Sequence, residues 1–551
     1  MDSTDLIERC DRLAALADRR LALPTSNPAA AARGRQLRDH LEGFVRPRLA
    51  DIDAPLLVLL VGPTGAGKSS LLNTIAGAEV SKSGVLRPTT RDAVLYASES
   101  DSRRILEGGR LAVVARQRLK LAPRSPASGG VIVIDAPDVD SVERDNRQLA
   151  DVLVESCDLC VFVTTAMRYA DLVPWEVLNR VRERGLPLVV VLNRVPPQPE
   201  DRAAVVADAK RLLADSGTAD LIVVDEGDID PNVDGLKREK AHRLLERIAR
   251  LAAEADARHA VAAQALAGAL RGLAPLAHAV ADDLDHQAID ADALQRMAAN
   301  EYSEELDSLN RALLSGLILR EEVLRRWNEY VGADQVARFI SAGIGRLRAM
   351  LVSVFRGQVD APVTVVEAEM TTTLEALALR HASNAARRTA IAWSDRAEAA
   401  ALIGANPGLW SASDGFAPAI RERLAAWMRA IVDDVRAHAG RKRAIAQVAA
   451  LGVNAVGVAV MLAVFVHTAG LTGTEVGIAA GTAVLNQKLL EAIFGEGAMA
   501  ELIGNARAGL TQLLTDLFDQ DRKRFEMLVP PARELREVAG ALRDAVDGMQ
   551  P

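Results

Sequence analysis

An unbroken apolar run, Leu56-Leu57-Val58-Leu59-Leu60-Val61, leads straight into Gly62-Pro63-Thr64-Gly65-Ala66-Gly67-Lys68-Ser69 and on into Ser70-Leu71-Leu72-Asn73-Thr74-Ile75-Ala76-Gly77. The middle segment fits G-x-x-x-x-G-K-[ST] at every fixed position, in the strand–loop–helix setting that gives the pattern its meaning. Such a succession requires an α/β layer with a buried strand that ends at an anion site. The glycines let backbone N–H groups turn inward around a β-phosphate. Lys68 brings a point charge to the β- and γ-phosphates, and the Ser69 hydroxyl can ligate Mg²⁺. A helix starting near Lys68 adds its positive end to the same site. An ordinary glycine turn needs neither Lys-Ser nor a buried strand before it. Nucleoside triphosphate binding by Gly62, Gly65, Ala66, Gly67, Lys68, Ser69 and Ser70 is therefore the expectation, with Lys68 on a solvent-facing loop.

At 551 residues the chain is too long for one core. Hydrophobic residues make up 49% and aromatics only 3%, which points to an Ala/Leu/Val-rich, helix-dominated protein. A net charge of −8 offers no basic field for nucleic acid, so no nucleic-acid partner is expected. Residues 1–11 lack the cationic and apolar regions of a signal peptide. Three cysteines make no disulfide framework and suit a reducing cytosol. Cys157 and Cys160 have CxxC spacing, but they lie where a helix hands over to a buried strand, and packing is the expected role.

Residues 1–50 read as helical with a break at Pro24–Pro28, and 51–235 as alternating strands and helices. The apolar runs Leu56–Val61, Val131–Ile134, Leu159–Val163, Leu188–Leu192 and Leu221–Val224 imply a mostly parallel sheet with helices on both faces. From 236 to 440 helical periodicity takes over. Leu306, Leu309, Leu313, Leu317, Leu324 and Trp327 form one stripe, and turns fall at Asn406–Gly408 and Ser413–Gly415. Residues 444–474 carry no charge, Arg441-Lys442-Arg443 precede them, and 498–549 return to charged amphipathic helix. The uncharged run is long enough for about one bilayer crossing. The basic triplet suits a cytoplasmic anchor beside anionic lipid.

Lys68–Gly77 resembles the extended first motif of the translation-factor and Ras-related GTPases. Val85-Leu86-Arg87-Pro88-Thr89-Thr90-Arg91-Asp92 resembles the first switch of dynamin-like and septum-related bacterial GTPases. The resemblance implies that Thr89 or Thr90 binds Mg²⁺ and senses the γ-phosphate. Asp135, at the end of the strand run Val131–Ile134, would hold Mg²⁺ through water. Where the family pattern D-x-x-G has glycine, this chain has Asp138, and Thr64 stands where dynamins place a glutamine. Asn193-Arg194-Val195-Pro196 occupies the place of Asn-Lys-x-Asp, so Asn193 and Arg194 are base-side candidates while Pro196 replaces the guanine-binding aspartate. Asp225 is a further candidate there by position, and Arg87 or Arg91 could supply transition-state charge.

Taken together the chain resembles a bacterial, actinobacterial, dynamin-like GTPase. The resemblance implies GTP as substrate, Mg²⁺ as cofactor, catalytic roles for Lys68, Thr89, Thr90 and Asp135, and homo-oligomer or nucleotide-dependent dimer formation. It also implies binding or remodelling of membrane lipids, anionic ones above all, from the cytoplasmic face of the cell membrane. The expected fold is a P-loop GTPase domain joined to an elongated all-α bundle with an apolar, membrane-active hairpin. Its boundaries are N-terminal helices at 1–50, the GTPase domain at 51–235, a helical stalk at 236–440, the membrane-contacting segment at 441–497 and a return helix at 498–551. A hairpin buried inside the bundle is the competing reading of 441–497. Two other functions remain open. One is a non-hydrolysing, nucleotide-gated membrane scaffold. The other is an ABC-type ATPase, for which Ser128-Gly129-Gly130 is the nearest signature fragment and Ala136 stands where the glutamate should be.

Overall fold

A computed structural model describes the chain except residues 1–2, 83–91, 108–109, 113, 115–117, 125–128, 139–143, 214–219, 315–320, 332–360, 440–451, 467–477, 548 and 550–551. It divides into two compact units, Met1–Ala288 with Arg533–Pro551, and Ile289–Ala532.

The first unit begins with α1 (Ser3–Ala22), α2 (Pro28–His40) and, after a π-turn, α3 (Arg46–Ala50). Asn27 ends the break between α1 and α2, its side chain accepting from Ala29 N and Ala30 N at 3.0 and 3.2 Å, with Pro28 in the first helical position. A seven-stranded sheet follows in the order β3-β2-β4-β1-β5-β6-β7. Its strands are β1 (Leu56–Val61), β2 (Ala93–Ala97), β3 (Leu119–Pro123), β4 (Val131–Asp135), β5 (Leu159–Thr165), β6 (Leu188–Val195) and β7 (Asp220–Asp225). All pairings are parallel except β2 against β4. The five apolar runs are β1, β4, β5, β6 and β7. The sequence reading missed β2 and β3: β3 reads Leu-Lys-Leu-Ala-Pro, an edge strand with Lys120 and Leu121 exposed.

Intervening helices are α4 (Lys68–Ala76), α5 (Glu99–Leu106), α6 (Arg144–Ser156), α7 (Leu172–Glu183) and α8 (Pro199–Leu213). A short hairpin, β8 (Ile229–Asp230) with β9 (Gly235–Leu236), leads into α9 (Arg238–Ala253) and α10 (Ala255–Leu314). The core of the sheet runs past residue 235, where the sequence reading ends the domain. Ala241, Leu244, Ile248 and Leu251 of α9 and Ala262 of α10 pack on it with Val58, Leu60, Val133 and Val161. An amphipathic α9 needs the sheet to bury its stripe, so it belongs with the strands before it.

Two polar clusters tie the N-terminal helices to this unit. Asp158, fully buried, accepts from Arg48 at 2.5 Å, Arg110 at 2.7 Å and Leu57 N at 2.8 Å. Burial would raise its carboxyl, but Arg110 and then Arg48 outweigh that and hold it below the usual range. His40, at the end of α2, meets Glu155 Oε2 at 3.2 Å and the Ala269 carbonyl of α10 at 3.1 Å. Arg33 pairs with Asp283 of α10, and Arg543 of α18 (Ala532–Asp547) pairs with Asp282 and Asp285. Cys157 and Cys160 are buried free thiols, and burial pushes Cys157 up to about 12, as a packing role requires.

The second unit holds the remainder of α10 with α11 (Glu321–Val331), α12 (Ala361–Ser394), α13 (Ala397–Ala405), α14 (Phe416–Ala439), α15 (Val453–Val466), α16 (Ile478–Phe494) and α17 (Glu496–Glu526). Leu309, Leu313 and Trp327 of the expected stripe are buried in its core, whereas Leu317 lies outside the described residues. Buried indoles are each satisfied: Trp327 donates to Asn486 Oδ1 at 2.7 Å, Trp393 to the Leu294 carbonyl at 3.1 Å and Trp427 to the Ala506 carbonyl at 2.8 Å.

The helix α15, which the sequence reading sets against lipid, is enclosed by the second unit's own core. Val458, Val460 and Leu462 have no exposed surface, and Ala455, Val456, Met461, Ala463 and Phe465 are at most 4% exposed. A helix that is apolar all round must be covered, and here protein covers it. By length and composition alone, Ala255–Leu313 is the described helix that could cross a membrane. Its Ala265, Ala269, Leu273 and Ala277 are buried, and its Asp283 pairs with Arg33.

Candidate functional site

The strand order makes β1 the pivot of the sheet, with β4 on one side and β5 on the other. Connections that leave a central strand in opposite directions open a crevice beyond the strand ends. The expected residues that fall within the described structure converge there from β1, β4 and β6. Gly62 ends β1 so close to β5 that a Cβ would lie 1.9 Å from the Val163 carbonyl oxygen. Gly67, at φ 100°, caps α4, and a Cβ there would meet Asn193 Nδ2 at 2.4 Å. Both positions exclude a side chain, and the turn between them aims its backbone at the crevice.

Lys68 opens α4, but it does not face solvent as the sequence reading has it. It is 5% exposed and donates to the Gly62 carbonyl at 3.0 Å, the Pro63 carbonyl at 3.2 Å and Asp138 Oδ1 at 2.5 Å. The loop folds over its own lysine because an ammonium next to a buried strand must fill its donors. Ser69 Oγ donates to Asp135 Oδ2 at 2.6 Å, and Ser81 Oγ donates to the same oxygen at 2.9 Å. Asp135 is fully buried, and its Oδ1 has no hydrogen-bond partner. Burial pushes its carboxyl up despite Lys68 and the two hydroxyls. An orphaned carboxylate oxygen beside a serine hydroxyl fits a hard cation that keeps most of its waters, as Mg²⁺ does. Among the described residues there is no cluster of three or more His, Cys, Asp or Glu that could hold a metal.

Ser70 accepts from Thr74 Oγ1 through its carbonyl at 2.7 Å and lies on the first turn of α4. Asn73 accepts from Val80 N and Ser81 N, both at 2.9 Å, and so fixes the backbone that enters residues 83–91. Thr89 and Thr90 lie outside the described residues, as do Arg87 and Arg91. At the end of β6, Asn193 Nδ2 donates to the Ala66 carbonyl at 2.9 Å while Asn193 Oδ1 accepts from Arg194 N at 2.8 Å. Arg194 is exposed with φ 53°, at a bulge where the β6–β7 register shifts. Asp225 is engaged by Arg202 at 2.8 Å and Lys240 at 3.5 Å.

Sequence reasoning missed three contacts of the site: Asp138 on Lys68, Ser81 on Asp135, and Arg168 Nη1, which donates to the Thr64 carbonyl at 3.2 Å. No motif marks Ser81 or Arg168. Asp138 was visible only as a departure from D-x-x-G.

Residues 57–194 match the family described as 50S ribosome-binding GTPase. Over 200 residues the chain is 28% identical to the GTPase Der of Synechococcus sp. (strain CC9311), an alignment covering 35% of this chain and 40% of that one. The chain thus spans less than half the length of this curated relative. Among solved structures it aligns with a bacterial dynamin pair described as an oligomer for long-range sensing and tethering of membranes. That alignment has 11% identity and a TM-score of 0.41, and it covers 100% of this chain and 95% of the other. It also aligns with the LeoA bacterial dynamin GTPase from ETEC at 13% identity and a TM-score of 0.23, over 99% of this chain and 94% of that one.

Proposed function

We propose, from the premise that residues 57–194 are a P-loop GTPase domain, that the chain binds and hydrolyses GTP with Mg²⁺ and couples this cycle to self-association and to membrane binding or remodelling. One observation carries the first half: Lys68, Ser69 and Asp135 meet at the end of β1 beneath a loop whose two essential glycines admit no side chain. Backbone N–H groups of Gly65–Ser69 and the start of α4 receive the phosphates. Lys68 binds the β- and γ-phosphate oxygens; Ser69 and Asp135, with Thr89 or Thr90, would hold Mg²⁺, which would supply neutralising charge there. Asp135 orients Ser69, and Ser81 orients Asp135.

Asn193 sets the base-side corner, and Arg194 projects from it to cover the base plane. Pro196 has no carboxylate to accept from guanine, so the preference for GTP over ATP is modest. The membrane half is supported by the uncharged run 444–474 behind Arg441-Lys442-Arg443, which suits the cytoplasmic face of an anionic membrane. Because α15 is enclosed, contact with lipid through this segment requires α15 to leave its core.

The test is phosphate release under multiple turnover by the purified chain, with GTP or ATP, with Mg²⁺ or chelator, and with or without anionic liposomes whose flotation is scored in parallel. Mg²⁺-dependent release from GTP exceeding that from ATP supports the GTPase. ATP turnover equal to or above GTP turnover refutes it. A specific contact favours a second reading, the non-hydrolysing scaffold: Asp138 occupies Lys68 where hydrolysis needs phosphate. Nucleotide binding and flotation without turnover would select it.

A further inference from the structure

We infer that Asp138 is a built-in competitor for phosphate, which sets nucleotide affinity and distinguishes triphosphate from diphosphate by charge. The inference rests on the GTPase reading and deepens it. An ammonium has three protons to donate. Those of Lys68 are all committed, to the carbonyls of Gly62 and Pro63 and to Asp138 Oδ1 at 2.5 Å. The carbonyls belong to the loop itself and carry no net charge, so Asp138 is the partner that neutralises the lysine. A phosphate oxygen that reaches Lys68 therefore takes the place of Asp138.

Asp138 is 6% exposed, with little room to share the site, and fully buried Asp135 stands close enough for the two carboxylates to act on each other. Until Mg²⁺ joins Ser69 and Asp135, adding a phosphate gathers three anionic groups around one ammonium at low dielectric, where like charges repel strongly. A γ-phosphate adds charge to this corner that a diphosphate lacks. In the family pattern a glycine N–H at this position attracts the γ-phosphate. Asp138 keeps that backbone N–H but adds a carboxylate that repels the γ-phosphate, so the triphosphate drives the Asp138 side chain off Lys68. Asp138 is thus a specificity-determining residue of the phosphate site whose influence is electrostatic.

The experiment measures binding of GDP and of a non-hydrolysable GTP analogue to the full chain with Asp138→Asn, Asp138→Gly and Lys68→Ala. The amide oxygen of Asp138→Asn can still accept from Lys68 and keeps the shape of the side chain. Both Asp138 variants should bind the triphosphate analogue at least tenfold more tightly than the unaltered chain, and GDP with a smaller gain. Wild-type or weaker affinity for the triphosphate in both variants overturns the inference, and so does an equal gain for the two nucleotides. If circular dichroism shows that neither variant folds, Asp138 is a structural partner of Lys68 and the inference fails. Lys68→Ala separates this from the parent reading. Undiminished nucleotide binding by that variant refutes the phosphate site itself. Its loss of binding, with Asp138 variants unchanged, refutes only the competitor.

Discussion

Replacing Lys68 by alanine removes the partner of a nearly buried carboxylate, and the fold will register it before any nucleotide is added. Asp138 is 6% exposed and would lose the ammonium 2.5 Å away. Breaking a buried ion pair from one side costs about 3–5 kcal/mol, because the remaining charge is stranded. The penalty of Lys68→Ala should therefore be about 3–4 kcal/mol. Lys68 also opposes the burial that pushes Asp135 up, so its loss burdens a second carboxylate.

Adding Asp138→Asn to Lys68→Ala should recover most of the lost stability. Urea unfolding without nucleotide or Mg²⁺ measures the difference, and hydrogen exchange in β1 and β4 reads the first unit alone. A Lys68→Ala chain as stable as wild type at pH 7 would refute the buried-pair reasoning. So would a double variant no more stable than the single one.

Gly67→Ala should cost about 2–3 kcal/mol, the sum of left-handed strain and the lost Asn193 bond, and weaken nucleotide binding; a melting curve and a binding isotherm check both. Asp135→Asn should stabilise the nucleotide-free fold, raising its urea midpoint, while abolishing Mg²⁺-dependent turnover. Its sign follows from burial raising the native carboxyl above its unfolded value of 3.8, so that stability falls as pH rises through that window. Glu155 shows the reverse. Burial would raise its carboxyl, but Arg184 and then His40 pull it from 4.5 down to about 2. Its stabilisation is present above pH 4.5 and lost as pH falls toward 2, so Glu155→Gln should melt lower than wild type at pH 7 and converge with it in acid. Val458→Glu places an unpaired charge in the core around α15 and should lower the melting transition of the second unit, measurable by calorimetry.

The phosphate loop was legible because each fixed residue type has one physical reason to be there, and β1, β4, β5, β6 and β7 because strands buried on both faces read as apolar runs. Two strands escaped notice since β3 is an edge, with Lys120 and Pro123 suited to an unpaired side. The burial of Lys68 was invisible, because it depends on a carboxylate far along the chain. The reach of the first unit past residue 235 was hidden for a related reason: α9 is amphipathic in sequence, and nothing in amphipathicity says which surface it covers. Absence of charge in α15 suits lipid and protein interior alike, so the sequence alone left both coverings open.

Gly67 and Asn193 come from distant stretches of the chain, yet Asn193 Nδ2 lies 2.4 Å from where a Cβ on Gly67 would sit, and the same amide holds the Ala66 carbonyl. Neither residue can drift alone. A larger residue at 67 would be strained by its left-handed φ and would press on Asn193, and a shorter residue at 193 would release the phosphate loop from β6. In the proposed reading, a relaxed choice of base therefore falls to Arg194, Pro196 or beyond, with Asn193 kept in place as the pin between the phosphate loop and β6.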